Sequence, residues 1–156
     1  MTEQIKKYDP ANFDLVSRIL EEEIQNSHKF LSKEELKDYI EDTKQESLLF
    51  INPQYITKIW NIYEDTKIVG FTSVRETSTE TIIVSIYVLS AYQKKGYGKK
   101  LLNKILSECK APYSLAVYEQ NRDAYRFYEN FGFKVTKKGL QKGLQKNHKY
   151  LEMTIS

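Results

Sequence analysis

Cysteine and histidine are scarce in this chain of 156 residues, which contains one cysteine and two histidines. The single thiol, Cys109, has no partner for a disulfide within the chain. Together with His28 and His148 alone it makes no cluster of zinc ligands. We therefore expect no metal site, and we interpret Cys109 as a small buried apolar residue.

Long apolar runs are also missing. The longest is about Ser47–Ile51, far short of the roughly 20 apolar residues that a membrane-spanning helix requires. The first seven residues contain no apolar signal segment, so we expect neither export nor a membrane anchor, and a cytoplasmic location. A hydrophobic content of 40% and an aromatic content of 13% exclude intrinsic disorder. One globular domain over residues 1–156 is predicted.

Charge is distributed unevenly along the chain, although the net charge is only +3. Residues 1–57 hold 12 acidic and 7 basic residues, whereas residues 91–156 hold 5 acidic and 14 basic residues. This asymmetry is consistent with one cationic and one anionic ligand. The alternative is that the charges only solvate helix faces. A nucleic-acid-binding role for the basic part is disfavoured by the acidic front and the small net charge.

The hydrophobic pattern predicts alternating types of secondary structure. Helical spacing begins at Phe13, and a capping box formed by Ser32 and Glu35 marks a second helix. Segments rich in β-branched and aromatic residues then predict an antiparallel meander over Ile56–Tyr63, Ile68–Val74 and Thr81–Leu89. The remaining pattern predicts a helix after Gly98, a strand at Ser114–Tyr118, a helix through Ala124–Phe131, and closing strands at Phe133–Lys137 and Lys149–Ile155. The repeated Gly-Leu-Gln-Lys at 139–142 and 143–146 is interpreted as a mobile loop between them.

These elements give the order β-α-α-β-β-β-α-β-α-β-β. The predicted class is a single-domain α/β fold with a mixed, mostly antiparallel sheet of about seven strands and about four helices.

The glycine-containing segment after the third strand of the meander carries the clearest functional signal. A strand runs into a basic loop with Gly96 and Gly98, and this loop opens directly into an amphipathic helix. Free N–H groups and the helix dipole favour an anion at such a helix start. Lys94, Lys95 and Lys99 add positive charge there. The residues therefore outline a cradle for a pyrophosphate.

Two common phosphate-binding loops do not fit these residues. A P-loop requires a first glycine where Gln93 stands, and Lys100 follows Lys99 where Ser or Thr is needed. A dinucleotide-binding fingerprint requires a third glycine at the position of Leu101. A different kind of phosphate-containing ligand is indicated.

Two motifs identify a family resemblance. Gln93-Lys94-Lys95-Gly96-Tyr97-Gly98 resembles the Gln/Arg-x-x-Gly-x-Gly/Ala motif of the GNAT N-acetyltransferases, which bind acetyl coenzyme A (acetyl-CoA). The segment from Val117 to Phe133 resembles the family's V-x-x-x-N-x-x-A-x-x-F-Y-x-x-x-G-F block. Both occur in the family order, which chance explains poorly. His28-Lys29-Phe30-Leu31 is similar to a joint found in a bacterial subgroup of these enzymes.

The resemblance implies specific roles for the motif residues. The strand ending at Val88 and the strand at Ser114–Tyr118 are expected to splay apart and hold the pantetheine arm. The main chain of Tyr87, Val88 and Leu89 is implied to bind this arm, with the Val88 N–H polarising the thioester carbonyl. The implied pyrophosphate cradle consists of Gln93, Lys94, Lys95, Gly96, Tyr97, Gly98 and Lys99.

Two further residues receive roles from the second motif. Asn121 matches a position that bonds the pantetheine arm, and it is also well placed to cap the following helix. Tyr128 matches the general acid that protonates the coenzyme A thiolate, but it also lies on the apolar face of its helix. The catalytic residues expected from the resemblance are therefore Tyr128 and the main chain of Val88.

The general base is not identified, because Ile82–Ile86 contains no carboxylate. Glu80, acting through water, and solvent itself stay open. The expected reaction is direct transfer of an acetyl group to a primary amine. The alternatives for this acceptor are a small amine, an amino acid, a protein lysine and a protein N-terminus. A catalytically idle acyl-CoA-binding module is the alternative. The sequence also leaves open whether the protein forms a homodimer.

The acceptor is expected to be cationic. The segment from Asp14 to Glu46, which lines the acceptor side in the resembling family, holds ten acidic and five basic residues. A negative rim raises the local concentration of cations.

Overall fold

The computed structural model describes residues 2–49, 54–141 and 148–156. Within these ranges it contains four helices and seven strands. They follow in the order β1 (Glu3–Lys7), α1 (Phe13–Ser27), α2 (Lys33–Lys44), β2 (Ile56–Glu64), β3 (Lys67–Glu76), β4 (Thr81–Val88), α3 (Tyr97–Glu108), β5 (Tyr113–Tyr118), α4 (Arg122–Phe131), β6 (Lys134–Gln141) and β7 (Lys149–Ile155). The predicted element order is confirmed.

The strands form one mixed sheet in the order β1-β2-β3-β4-β5-β7-β6. Every neighbouring pair is antiparallel except β4 and β5, which run parallel. The predicted meander corresponds to β2, β3 and β4. The parallel pair lies in the middle of the sheet, between two antiparallel halves.

Separate apolar clusters hold the helices against the sheet. On α1, Leu20 and Ile24 are fully buried and pack with Phe71 of β3. On α3, Leu102 and Ile105 pack in a different cluster with strand residues such as Val74. Burying each apolar side chain of this size contributes roughly 1.5–3 kcal/mol. The amphipathic spacing seen in the sequence therefore corresponds to real buried faces.

Different local caps mark the starts of the first two helices. Ser32 accepts from the Glu35 N–H at 3.1 Å, and Glu35 accepts from the Ser32 N–H at 2.9 Å, so the capping box of α2 is confirmed. The side chain of Asn12 does not cap α1. A short 3-10 turn at Pro10–Asn12 precedes that helix instead, and Asp9 caps the turn.

The C-terminal strands differ from the expected bounds. The strand expected to end at Lys137 extends to Gln141 as β6, so residues 139–141 are not a loop. The rest of the expected loop, residues 142–147, lies outside the described residues. Cys109 is buried, as predicted, and desolvation by burial raises the pKa of its thiol to about 11. Among the described helices, none is both long and apolar enough to span a membrane.

Candidate active site

The strands β4 and β5 diverge after a short parallel contact. Only Thr81 and Ile82 of β4 pair with β5, opposite Tyr113 and Ser114. Further along, β4 continues to Val88 with no strand partner on this side among the described residues. The splayed strands expected from the family resemblance are therefore present.

The ladder between β3 and β4 orients the main chain at the open end. Leu89 donates its N–H to the Val69 carbonyl at 2.8 Å. Backbone groups of successive strand residues point in opposite directions, so the N–H and C=O of Val88 face the gap. The side chain of Gln93 confirms this direction, because its Nε2 donates to the Val88 carbonyl at 2.8 Å. Of the three main-chain positions expected to bind a ligand, only Val88 faces the gap. By the same alternation the main chain of Tyr87 faces β3, opposite Phe71, and the N–H of Leu89 is occupied.

Two adjoining cavities occupy the gap and its mouth. The larger, about 580 Å³, extends from the glycine loop to α4. The smaller, about 70 Å³, lies between β4 and β5 and reaches the joint between α1 and α2. Both cavities are lined by Ile86, Tyr87, Asn121, Ala124 and Tyr128. A ligand held at the glycine loop could therefore reach the smaller cavity through this shared wall.

The glycine loop presents an uncapped helix start to the larger cavity. Gly96 adopts a left-handed conformation with φ of +81° and offers no side chain to cap α3. The first helical bond in this region runs from the Lys100 N–H to the Gly96 carbonyl at 3.0 Å. The N–H groups of Tyr97, Gly98 and Lys99 precede it, as expected for the orphan donors of a helix start. They form a site for an anion.

Not every residue of the expected cradle contributes its side chain. Lys94 and Lys99 line the larger cavity. The ammonium of Lys95 instead pairs with Glu64 at 3.2 Å and lies over the Tyr92 ring. The Tyr97 hydroxyl also donates to Glu64, and this bond raises the pKa of Tyr97 to about 12. The expectation that Lys95 adds positive charge to the cradle is therefore corrected. Its ammonium forms an ion pair with Glu64, and Lys95 does not line the larger cavity.

Asn121 and Tyr128 lie together on the shared wall of the two cavities. Asn121 Oδ1 accepts from the Ala124 N–H at 3.4 Å, which confirms its role as the cap of α4. The Tyr128 ring packs at 5.2 Å from the Phe127 ring and at 5.7 Å from the Phe133 ring. Burial raises the pKa of Tyr128, so its phenol retains its proton at neutral pH. The hydroxyl of Tyr128 therefore carries a proton that it can donate.

Comparison with known proteins assigns this arrangement to a family. The model of the acetyltransferase (GNAT) family matches residues 16–133. The chain belongs to the GNAT acetyltransferase family. The match covers the splayed strands and both glycine-containing motifs, and it identifies an acyltransferase.

Solved structures share the GNAT fold over nearly the whole chain. Apo YjaB from Escherichia coli is 22% identical, with 99% of this chain and 97% of that chain covered and a TM-score of 0.77. PaiA N-acetyltransferase from Thermoplasma acidophilum, in complex with coenzyme A, is 18% identical, with coverage of 97% and 98% and a TM-score of 0.75. YncA from Salmonella typhimurium, with acetyl-CoA, is 18% identical, with coverage of 99% and 94% and a TM-score of 0.67.

A buried carboxylate that the sequence did not single out organises the glycine loop of this GNAT domain. Glu23 on α1 is 4% exposed. It accepts from the Ser90 N–H at 3.1 Å, from the Ser90 hydroxyl at 3.0 Å and from Gln93 Nε2 at 3.1 Å. Because Gln93 also bonds the Val88 carbonyl, Glu23 connects α1, the loop and the end of β4. Glu23 therefore does not belong to the negative rim that was expected to attract a cationic acceptor.

Replacing Glu23 by Ala is expected to lower the free energy of unfolding by about 1–3 kcal/mol, because three hydrogen bonds from Ser90 and Gln93 lose their buried carboxylate acceptor. The exposed neighbour Glu22 provides a matched control, and Glu22→Ala is expected to change little. Chemical denaturation of the two variants measures the difference. Equal stability of the two would contradict the assigned role.

The joint between α1 and α2 places His28 inside an aromatic cluster. Its ring centroid lies 4.7 Å from that of Tyr39, 5.6 Å from that of Phe30 and 5.8 Å from that of Tyr118. His28 is 3% exposed, and desolvation by burial lowers its pKa to about 4. The ring is therefore neutral at physiological pH. The sequence indicated only a joint motif here.

This pKa makes the stability of the GNAT domain depend on pH. The pKa of His28 is lower in the folded state than the unfolded value of about 6.5, so its contribution is complete above pH 6.5 and is lost as pH falls toward 4. Relative to His28→Asn, the wild type is expected to lose about 2 kcal/mol between pH 7.5 and 5. Urea denaturation at both pH values measures this. A His28→Asn variant that keeps the wild-type pH dependence would refute the assignment.

Glu80 is too far from the open end of β4 to act there as a base. It precedes Thr81, at the end where β4 and β5 are joined, and it accepts from the Ser114 hydroxyl at 2.6 Å. At about 3.3 Å per residue, Glu80 lies roughly 26 Å along the strand from Val88. Within the described ranges, no three His, Cys, Asp or Glu side chains are grouped as metal ligands.

Proposed function

We propose that this protein transfers an acetyl group from acetyl-CoA to a primary amine, which attacks the thioester directly in a ternary complex. The uncapped start of α3 carries the proposal. Its orphan N–H groups and Lys94 and Lys99 face a cavity of about 580 Å³ that continues to the gap between β4 and β5. This geometry suits a ligand with a pyrophosphate at one end and a long narrow arm at the other.

The residues present fit such a ligand. A Cβ built on Gly96 would meet nothing within 4 Å, so the space beside this main chain is open. Asn121 lines the path from the loop to the gap and has amide groups that can bond an arm. The relatives PaiA and YncA, which were solved with coenzyme A and acetyl-CoA, support the same co-substrate.

The protein's contribution to the chemistry is orientation and charge stabilisation. In the proposed complex the Val88 N–H donates to the thioester carbonyl as negative charge develops on its oxygen. A single donor of this kind is worth about 3 kcal/mol of transition-state stabilisation. Tyr128, on the same wall, gives its phenolic proton to the departing sulfur.

The acceptor is proposed to be a cationic amine that approaches over α1 and α2. Of the ten acids in this region, Glu21 pairs with Lys44, Glu23 is buried, and Glu35 caps α2 and bonds His148. Others remain exposed to attract cations, namely Asp14, Glu22, Glu34, Glu41 and Asp42. Fewer acidic residues are therefore available to attract cations than the sequence count indicated, but the rim remains negative.

An acceptor screen with a free-thiol readout tests the function. With acetyl-CoA, spermidine, lysine amide and a basic peptide are expected to give higher kcat/KM than glycine or glutamate. Their advantage should decrease with added salt, because screening shortens the range of the rim's charge. A clear preference for glutamate would refute the cationic acceptor but not the acetyl transfer.

A catalytically idle acyl-CoA-binding module is the second candidate. The observation that favours it is the lack of a carboxylate on β4, from Thr81 to Val88. Binding of acetyl-CoA by calorimetry without thiol release across the whole amine panel would support this module over the transferase.

A further inference from the structure

The proposed transfer requires a group that takes a proton from the acceptor. An ammonium with a pKa near 10 must lose its proton before or during attack. β4 offers no carboxylate, Glu80 lies at the far end of that strand, and Glu23 is occupied by Ser90 and Gln93. Apart from solvent, a proton acceptor must therefore come from another element.

The hydrogen bonds of His28 fix the tautomer of its ring. Ser27 donates its only hydroxyl hydrogen to the Glu23 carbonyl at 2.7 Å. Its oxygen therefore accepts in the 2.7 Å contact with His28 Nδ1, and the Ile24 carbonyl, 3.3 Å from Nδ1, also accepts. Nδ1 must then carry the hydrogen. Nε2 keeps a free lone pair, and it has no hydrogen-bond partner among residues 2–49, 54–141 and 148–156.

The ring lies where a proton acceptor is needed. His28 lines the cavity of about 70 Å³ together with Tyr87 and Tyr128, which also line the larger cavity. The smaller cavity has room for about two water molecules, each of which occupies about 30 Å³ in the liquid. A water in this space can contact Nε2 and the wall that Tyr87 and Tyr128 share with the larger cavity.

The other titratable groups that line this cavity are phenols. Burial raises the pKa values of Tyr39, Tyr87, Tyr118 and Tyr128, so each keeps its proton at neutral pH. No Asp, Glu, Lys or Arg of the described chain lines it. Charged groups outside the cavity act on these phenols: Glu35 and Asp42 of α2 act on Tyr118, and Glu46 acts on Tyr39. His148 bonds Glu35 at 3.1 Å. Among the described residues that line this cavity, His28 is the one whose neutral side chain has a nitrogen lone pair able to accept a proton.

We propose that Nε2 of His28 accepts, through water in the small cavity, the proton that the acceptor amine loses during attack. This inference rests on the proposed function. The amine nitrogen forms a bond with the acetyl carbon, the carbon–sulfur bond breaks, and sulfur takes a proton from Tyr128. The imidazolium then returns its proton through water to the Tyr128 phenolate. The products are the amide and free coenzyme A, and any additional ammonium proton goes to solvent.

Two variants separate basicity from packing. His28→Asn retains an N–H donor where Nδ1 bonded Ile24 but has no basic nitrogen. It is expected to lower kcat with acetyl-CoA and the best amine of the screen by about 10²-fold, the lower end for general base catalysis. His28→Ala leaves a space for added imidazole, which is expected to restore turnover, whereas pyrazole, its weakly basic isomer, is not. His148→Asn is the control and should keep the wild-type kcat.

A readout without the co-substrate tests the ring state directly. Nitrogen-15 spectra of the two histidines at pH 7, assigned with His148→Asn, are expected to show Nδ1 protonated and Nε2 unprotonated in His28. The opposite tautomer, rescue by pyrazole as strong as by imidazole, or full activity of His28→Asn would overturn the assignment. If the wild type acetylates no amine of the panel, the proposed function fails and this inference fails with it. An active wild type with an equally active His28→Asn refutes only the role of His28.

Discussion

Tyr128→Phe is expected to lower kcat by about 10²–10⁴-fold, the usual contribution of general acid catalysis, and to leave acetyl-CoA affinity nearly unchanged. The ring contacts with Phe127 and Phe133 survive this substitution, so only the hydroxyl is lost. In the part of the chain that the structure describes, that hydroxyl has no protein partner, which leaves it available to the sulfur of a bound thioester. Thiol release under conditions where chemistry limits turnover, together with calorimetry, measures the two quantities.

Tyr125→Phe is the matched control for this experiment. Tyr125 lies on the same helix, but its hydroxyl donates to Glu129 at 2.8 Å and its ring lies against Arg122. Its removal should leave turnover unchanged. Full turnover of a folded Tyr128→Phe variant would show that Tyr128 only packs.

The second large effect is expected for Gly98→Asp, which should weaken acetyl-CoA binding by more than about 100-fold, or about 2.7 kcal/mol. The new carboxylate stands in the first turn of α3, beside the N–H groups proposed to hold the pyrophosphate. The helix dipole favours an acidic residue in that turn, so the variant should still fold. Calorimetry and the thermal shift produced by acetyl-CoA measure the loss.

Gly98→Ala separates charge from bulk in the same position. A Cβ on Gly98 would lie 3.1 Å from Cζ of Phe127, a contact that a small shift of this ring relieves. The alanine variant should therefore bind acetyl-CoA far better than the aspartate variant. If folded Gly98→Asp keeps the full thermal shift, the cradle is misplaced.

The features that were predictable from the sequence are those that short segments encode. The strand, glycine loop and start of α3 occupy one continuous stretch, and the capping box of α2 spans only Ser32 to Glu35. The apolar spacing of the helices and the β-branched strands was sufficient for the element order. Asn121 as a helix cap follows from the same local rules.

The features that the sequence did not reveal depend on distant contacts. Glu23 meets Ser90 and Gln93 across 67 and 70 residues, and in the sequence it is one acid among many. In the sequence, Lys95 looks like the other lysines of the loop. Its bond to Glu64, 31 residues away, is visible only in the structure. The free nitrogen of His28 follows only from the placement of Ser27 and the cavity. Such pairings arise from the tertiary fold, which a pattern of residue types does not specify.

The short junction between β4 and β5 bears on how this protein can evolve. The two halves of its sheet share two residue pairs, and at the open end β4 presents main-chain groups. In the proposed complex the arm of the co-substrate bonds those groups much as an added strand would, and every amino acid supplies the same amide. Most side chains along the gap can then drift freely. Structures that are 13–22% identical to this chain keep the same fold.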